Sequence, residues 1–82
     1  MEQPLVSIIS INFNQIQVTT ELLESLRNIS FRNFEIIIVD NCSTKNSTHL
    51  ITNKYPEVNY IFCEKNLGFS GGNNVGIRAS KG

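Results

Sequence analysis

The stretch that most constrains this chain is an unbroken apolar run that ends abruptly in a polar loop. Residues 36–39 are four consecutive β-branched side chains, and Asp40 opens a polar segment that runs to residue 46. Such a run is typical of a strand buried on both faces, as in a parallel sheet. A carboxylate at the carboxyl end of that strand would lie where open α/β sheets bind their ligands. The run therefore predicts the centre of a ligand-binding α/β sheet.

The segments on both sides of this run alternate between strand and helix patterns. We predict strands at residues 6–11, 34–39 and 58–63, helices at 15–28, 47–54 and 73–81, and a turn at 30–33. Connections this short, with right-handed crossovers, place three parallel strands in the order 3-2-1 with flanking helices. The predicted fold class is α/β, a βαβαβα Rossmann-like half.

The predicted sheet leaves one side of strand one without a neighbour. In a doubly wound sheet strand one is central, and nothing in these 82 residues supplies a strand four beside it. We expect residues 1–82 to be the truncated half of a larger domain. An open strand edge also invites self-association, so a homo-oligomer through the edge of strand one is a further expectation.

Charge and hydropathy narrow the class of protein. Seven basic residues balance seven acidic ones, which disfavours a nucleic-acid partner because such proteins carry a basic surface. No apolar run approaches the ~18 residues of a membrane span, and the first charge, Glu2, does not suit a secretory signal. We expect a cytoplasmic protein. Its two cysteines, Cys42 and Cys63, are then expected as free thiols.

Asp40 is the sharpest candidate for ligand recognition. Its carboxylate could accept a hydrogen bond from the ring N–H of uracil, thymine or guanine, a charge-assisted bond worth roughly 1.5–3 kcal/mol. It could equally cap its own loop by accepting from the N–H of Cys42 or Ser43. Asn41 and Ser43 share both interpretations. From the residues alone the two remain open.

The loops after strands one and three have the same ambiguity. Asn12, Phe13 and Asn14 could touch the same ligand, although Asn14 could instead cap the first helix. Gly68, Gly71 and Gly72 would let the backbone approach a phosphate, or would form a tight turn. Their pattern matches neither a phosphate-binding loop nor the dinucleotide fingerprint. We expect Phe69 to lie in the core.

No nucleophile–base pair, paired carboxylates or metal-ligand spacing is readable in the sequence. We therefore expect no catalytic residue and no bound metal within these residues. The chain has the architecture of a binding domain without catalytic machinery. A non-catalytic α/β module that binds a nucleotide or a partner protein is one hypothesis that fits this pattern.

Three motifs together resemble a known family. Residues 6–14 with Leu22-Leu23-Glu24-Ser25-Leu26, residues 34–44, and residues 66–77 are similar, in register, to the opening of family 2 glycosyltransferases with the GT-A fold. The resemblance covers essentially the whole chain. It implies that the chain is the Rossmann-like, nucleotide-sugar-binding half of a GT-A domain.

The resemblance also implies a function for the loops. Family members transfer a sugar from a nucleotide-diphosphate donor, here UDP- or dTDP-linked, to an acceptor hydroxyl of a glycan or lipid-linked saccharide, with inversion. The residue matching Asp40 contacts the base, and the loop matching residues 12–14 lies against the nucleoside. The segment matching residues 68–74, which includes Asn73 and Asn74, borders the diphosphate and sugar.

Two departures from the family pattern matter. Asn73 stands where many members carry arginine, and the Gly-Gly-Asn-Asn version is more similar to the subgroup that uses rhamnosyl or related donors. The family's Asp-x-Asp metal motif and catalytic base are absent from these residues. The resemblance implies that the full-length enzyme uses a divalent cation, Mg or Mn. It also implies that this fragment binds no cation and is inactive alone. A peripheral position at the inner face of the membrane is compatible with such an enzyme.

Overall fold

The computed structural model describes residues 5–29 and 33–82. The chain alternates strictly between strand and helix. Its elements are β1 (Val6–Asn12), α1 (Ile16–Arg27), β2 (Phe34–Asp40), α2 (Thr48–Lys54), β3 (Val58–Phe62) and α3 (Gly68–Ala79). The predicted turn at 30–33 lies, apart from Asn33, outside the described residues. The βαβαβα order is confirmed.

The three strands form one parallel sheet with β2 in the centre. Val6 pairs with Phe34 and Asn12 with Asp40 across β1 and β2, and Asp40 pairs with Phe62 across β2 and β3. The predicted strand order is therefore confirmed. Because side chains alternate between the faces of a strand, Ile36, Ile38 and Asp40 face one side and the residues between them face the other.

The α1 and α2 helices cover the face that carries Ile36 and Ile38. Leu23 and Leu26 of α1, with Ile51 of α2, pack there in the main hydrophobic cluster, together with Tyr55, Val58 and Tyr60. A fully buried leucine or isoleucine contributes roughly 1.5–3 kcal/mol. Val18 of α1, Ile29 after this helix and Leu50 of α2 lie outside the cluster and are exposed.

The α3 helix covers the opposite face and begins at Gly68, five residues before the predicted start at residue 73. Two glycines explain how closely it lies on the sheet. A Cβ added to Gly76 would lie 2.4 Å from Ile9 Cγ2, and one added to Gly72 would lie 3.0 Å from Ile11 Cδ1. Gly72 and Gly76 therefore serve helix–sheet contact. The low helix propensity of glycine is outweighed by this packing.

Two further features concern the surface. Within residues 5–29 and 33–82, β1 pairs with β2 alone, so its other edge is open in this part of the chain. No helix in the same ranges is long and apolar enough to cross a membrane.

Candidate functional site

Asp40 lies at the end of β2 with its side chain fully enclosed, at 0% exposure. Its Oδ1 accepts from the backbone N–H of Ser43 at 2.8 Å, which confirms the loop-capping interpretation. Its Oδ2 accepts from Asn12 Nδ2 at 3.2 Å and from the hydroxyl of Tyr60. Because the carboxylate faces the interior and bonds within the chain, this placement does not support the predicted direct contact with a base. Asp40 instead holds the loop that follows it.

Asn12 and Tyr60 complete this buried polar network. Asn12 Nδ2 also donates to the Tyr60 hydroxyl at 3.1 Å, and Asn12 Oδ1 accepts from the backbone N–H of Gln15 at 3.1 Å. Asn12 thus ties the end of β1 to the entry of α1. Burial, followed by the hydrogen bond to Asp40, raises the pKa of Tyr60 well above its ordinary value. The tyrosine therefore keeps its proton and donates at any physiological pH.

Asn14 joins the β1–α1 loop to the β2–α2 loop. Its backbone N–H donates to Ser43 Oγ at 2.8 Å, and its Oδ1 accepts from the backbone N–H of Thr44 at 2.8 Å. Asn14 has φ of 56°, a left-handed conformation that asparagine tolerates better than most residues. The predicted helix-capping role of Asn14 is wrong: the residue before α1 is Gln15, and no side chain caps it. The side chain of Asn14 is engaged by the neighbouring loop.

Asn41 connects the β2–α2 loop to the start of α3. Its Oδ1 accepts from the backbone N–H of Leu67 and its Nδ2 donates to the carbonyl of Gly68, both at 2.8 Å. Asn66 Oδ1 accepts from the N–H of Gly68 at 2.8 Å. Gly68 has φ of 73°, which glycine adopts without strain. These bonds fix the helix start that sequence reasoning placed too late.

A groove of about 250 Å³ opens at the carboxyl edge of the sheet on its α3 side. Asn41 and Gly68 lie in its lining, and two exposed aromatic rings, Phe13 at 46% and Phe69 at 75%, border it. The complete lining is Ile11, Phe13, Asn41, Asn66, Gly68 and Phe69. The prediction that Phe69 lies in the core is wrong, because α3 starts at Gly68 and carries Phe69 on its open side.

The structure thus divides the predicted site residues among several environments. Phe13, Asn41 and Gly68 line the groove, whereas Asn12 and Asp40 are buried beneath it. The remaining predicted residues lie beside the groove or along α3. These are Asn14 and Ser43, which line a second depression of about 180 Å³ with Lys45, and Gly71, Gly72, Asn73 and Asn74 within α3.

Sequence reasoning missed three residues of this edge: Tyr60, Asn66 and Phe69. Tyr60 could have been found from strand alternation, since it faces the same side of the sheet as Asp40. Asn66 stands two residues before Gly68, the spacing of a side chain that bonds its own turn. Phe69 carried no separate signal, because its exposure depends on where α3 begins.

A metal site needs several ligating side chains placed close together. Nowhere in residues 5–29 and 33–82 do three or more His, Cys, Asp or Glu side chains come together in a way that could hold one. Asp40, the one carboxylate at the centre of the edge, is already bonded to three donors. The described residues therefore do not fit a metal centre.

A three-stranded parallel sheet with helices on both faces and a groove at its carboxyl edge defines an α/β ligand-binding domain of the Rossmann-like class. The chain belongs to glycosyl transferase family 2, whose family model matches residues 7–82. The resemblance seen in the sequence motifs is thereby confirmed.

Curated relatives agree with this membership. An uncharacterized glycosyltransferase of Haemophilus influenzae is 40% identical over 78 residues, which is 95% of this chain and 26% of the relative. An uncharacterized glycosyltransferase of Rickettsia bellii is 35% identical over 79 residues, 94% of this chain and 11% of the relative. The chain therefore spans about a quarter or less of the length of these two proteins.

Solved structures share the fold of this chain, at sequence identities similar to those of the curated relatives. The S. aureus TarS 1–349 structure matches with a TM-score of 0.81 and 33% identity, over 96% of this chain and 25% of TarS 1–349. The structure of TarS 1–349 in complex with UDP matches to the same extent. The predicted Rossmann-like half of a GT-A fold is confirmed.

Proposed function

We propose that this chain is the donor-binding part of a glycosyltransferase and that the groove beside Phe13 and Phe69 receives the nucleotide of a nucleotide-diphosphate-sugar. The whole reaction would be transfer of the sugar to an acceptor hydroxyl of a glycan or lipid-linked saccharide. Membership of glycosyl transferase family 2 and the likeness to a protein solved in complex with UDP support this assignment.

The observation that carries the proposal is the chemistry of the groove. Two exposed aromatic rings border a lining that contains the amides of Asn41 and Asn66. Aromatic faces stack on nucleobases, at roughly 1–3 kcal/mol per base. A few polar groups in a concave, partly apolar site set the orientation of a ligand. A nucleotide fits this combination better than a fully polar or fully apolar ligand does.

The residues below the groove have a supporting role in this proposal. Asp40 and Asn12 hold the loops, since both are buried and bonded within the chain. Phe13 and Asn41, the residues that follow Asn12 and Asp40, reach the groove. Gly68 and the first turn of α3 would lie near the diphosphate, because helix N-termini favour negative charge. Asn73 and Asn74, farther along α3, stay proposed contacts for the donor sugar.

The chemistry of transfer is proposed for the intact protein. A single in-line displacement with inversion would require a base that activates the acceptor hydroxyl. A divalent cation, Mg or Mn, would supply neutralisation of the leaving diphosphate when bound. We propose that neither group is contributed by residues 1–82 and that these residues alone transfer no sugar. Binding measurements with different nucleotide sugars would identify the donor sugar, including a dTDP-linked rhamnosyl type.

Calorimetric titration of the intact gene product with UDP, dTDP and their sugar derivatives tests the proposal. Phe69→Ala should weaken binding of the preferred nucleotide about tenfold, because a stacking surface is lost. Leu50→Ala, which removes an exposed apolar side chain on α2 (60% exposed, against 75% for Phe69), is the matched control and should leave the affinity unchanged. Equal affinities for Phe69→Ala and wild type would contradict the groove assignment.

A non-catalytic α/β module is the second candidate. The same groove would serve nucleotide binding in such a module. An assay for release of nucleoside diphosphate separates the two: a module without turnover would bind nucleotide but release none from any donor sugar in the presence of Mg²⁺ or Mn²⁺ and acceptor saccharides.

A further inference from the structure

Tyr60 is the one residue of β3 whose side chain reaches the ends of both other strands. Its hydroxyl donates to Asp40 Oδ2 and accepts from Asn12 Nδ2 at 3.1 Å. Asn12 is the last residue of β1 and Asp40 the last of β2. A single phenolic oxygen therefore links the points from which two carboxyl-edge loops depart.

The network and the groove lie on opposite faces of the same edge. Tyr60 packs with the α1 and α2 cluster, whereas the groove opens toward α3. Asn12 is followed directly by Phe13, and Asp40 directly by Asn41, and both of these next residues line the groove. Displacing Asn12 or Asp40 on one face of the sheet would therefore move Phe13 or Asn41 on the other.

We propose that Tyr60 is a positioning residue of the donor site: its hydroxyl fixes Asn12 and Asp40, and through them sets the spacing of Phe13 and Asn41 in the groove. Tyr60 itself is 8% exposed and does not line the groove. The effect on nucleotide affinity rests on the proposed function, whereas the ordering of the two loops is independent of it.

The strength of the link follows from its partners. A hydrogen bond to a charged group contributes more than one between neutral groups, and leaving a buried carboxylate short of a donor is costly. Without the Tyr60 hydroxyl, Asp40 Oδ2 keeps one donor, Asn12 Nδ2, at a distance of 3.2 Å. The carboxylate would then be held by two donors instead of three, which would loosen the acceptor of the Ser43 N–H.

Tyr55 offers a matched control. It is also buried, and its hydroxyl also donates to a carboxylate, that of Glu24. Tyr55 follows α2 and does not line the carboxyl-edge groove. Tyr60→Phe and Tyr55→Phe each delete one oxygen and keep the ring, so both leave the packing of the hydrophobic cluster in place.

The experiment compares the two variants in the intact gene product by two measurements. Calorimetry with UDP and dTDP should show about a tenfold higher Kd for Tyr60→Phe and less than about a twofold change for Tyr55→Phe. Amide hydrogen exchange without nucleotide should be faster at Ser43 and Gln15 in Tyr60→Phe only, because these N–H groups bond to Asp40 and Asn12.

The outcomes separate the two proposals. If the wild type binds neither nucleotide, the proposed function fails, and the exchange of Ser43 and Gln15 still decides whether Tyr60 orders the loops. If both variants lower Tm alike and neither changes Kd or exchange at these amides, Tyr60 is merely structural and the inference is overturned. A changed Kd with unchanged exchange would overturn the route through Asn12 and Asp40.

Discussion

The side-chain amide of Asn41 pairs with the backbone at Gly68, with Nδ2 donating to the Gly68 carbonyl at 2.8 Å while Oδ1 accepts from the preceding N–H at the same distance. This contact joins the end of β2 to the first turn of α3. Asn41 itself is almost completely buried. One asparagine thereby fixes the position of a helix and the floor of the groove.

Asn41→Asp tests this pairing. The substitution replaces the donor Nδ2 by a second oxygen, which would face the Gly68 carbonyl and bury an uncompensated charge. We expect a loss of roughly 2–3 kcal/mol in the free energy of unfolding, measured by urea denaturation. Asn59→Asp, at an exposed position of β3, is the control and should change stability by less than about 0.5 kcal/mol. Similar losses in both variants would argue against the pairing.

Gly76→Ala tests the close approach of α3 to the sheet. The new methyl group would meet Ile9 Cγ2 at 2.4 Å and Val39 Cγ2 at 3.4 Å. Overpacking of this kind costs about 1–3 kcal/mol, more than alanine returns in helix propensity. Thermal denaturation should show a lower Tm. Asn74→Ala, at an exposed position of the same helix, should leave Tm unchanged or raise it slightly, and a Gly76→Ala protein as stable as wild type would refute the close contact.

Asn14→Asp and Asn14→Ala test the link between the first two loops. Aspartate keeps the oxygen that accepts from Thr44 and tolerates a left-handed backbone, so its stability should stay within about 0.5 kcal/mol of wild type. Alanine loses the acceptor and is strained at φ of 56°, which together should cost about 2 kcal/mol. Denaturant unfolding measures both values. Equal stability of the two variants would show that the Asn14 side chain contributes nothing to the link.

Glu35 gives the structure a pH-dependent contact at the far end of α3. Its Oε2 accepts from Ser7 Oγ at 2.6 Å and from the backbone N–H groups of Lys81 and Gly82. The Ser7 hydroxyl, followed by the Lys81 N–H, lowers the pKa of Glu35 below its ordinary value. A lowered folded-state pKa means that the contact is fully present above the unfolded-state pKa and is lost as the pH falls through the folded value.

The expected result is a pH-dependent release of residues 80–82 on acidification. NMR titration should place the Glu35 midpoint below that of an ordinary glutamate, and the amides of Lys81 and Gly82 should lose protection over the same range. In Glu35→Gln this dependence should disappear. Protection of these amides that persists after Glu35 has taken up its proton would contradict the assignment.

The strands and their order were predictable because their causes are local. Residues 36–39 are β-branched and apolar, and short connections between parallel strands leave few topologies. The same reasoning placed the strand-to-helix loops at one edge of the sheet. It failed for the start of α3, since Gly68 and Gly71 are unfavourable in a helix by propensity, and the close approach of Gly72 and Gly76 to Ile11 and Ile9 exists only in the folded structure.

The sequence by itself determined that strand β2 ends in Asp40 at the carboxyl edge of a parallel sheet, and it left two roles open for this carboxylate, ligand contact and loop capping. The tertiary structure showed the capping role. Because alternate residues of a strand face opposite sides, Asp40 points into the α1 and α2 core, where Tyr60 and Asn12 bond to it, while Asn41 points toward α3 and the groove. Partners brought together across 20 and 28 positions of the chain set these roles, and they meet only in the folded sheet.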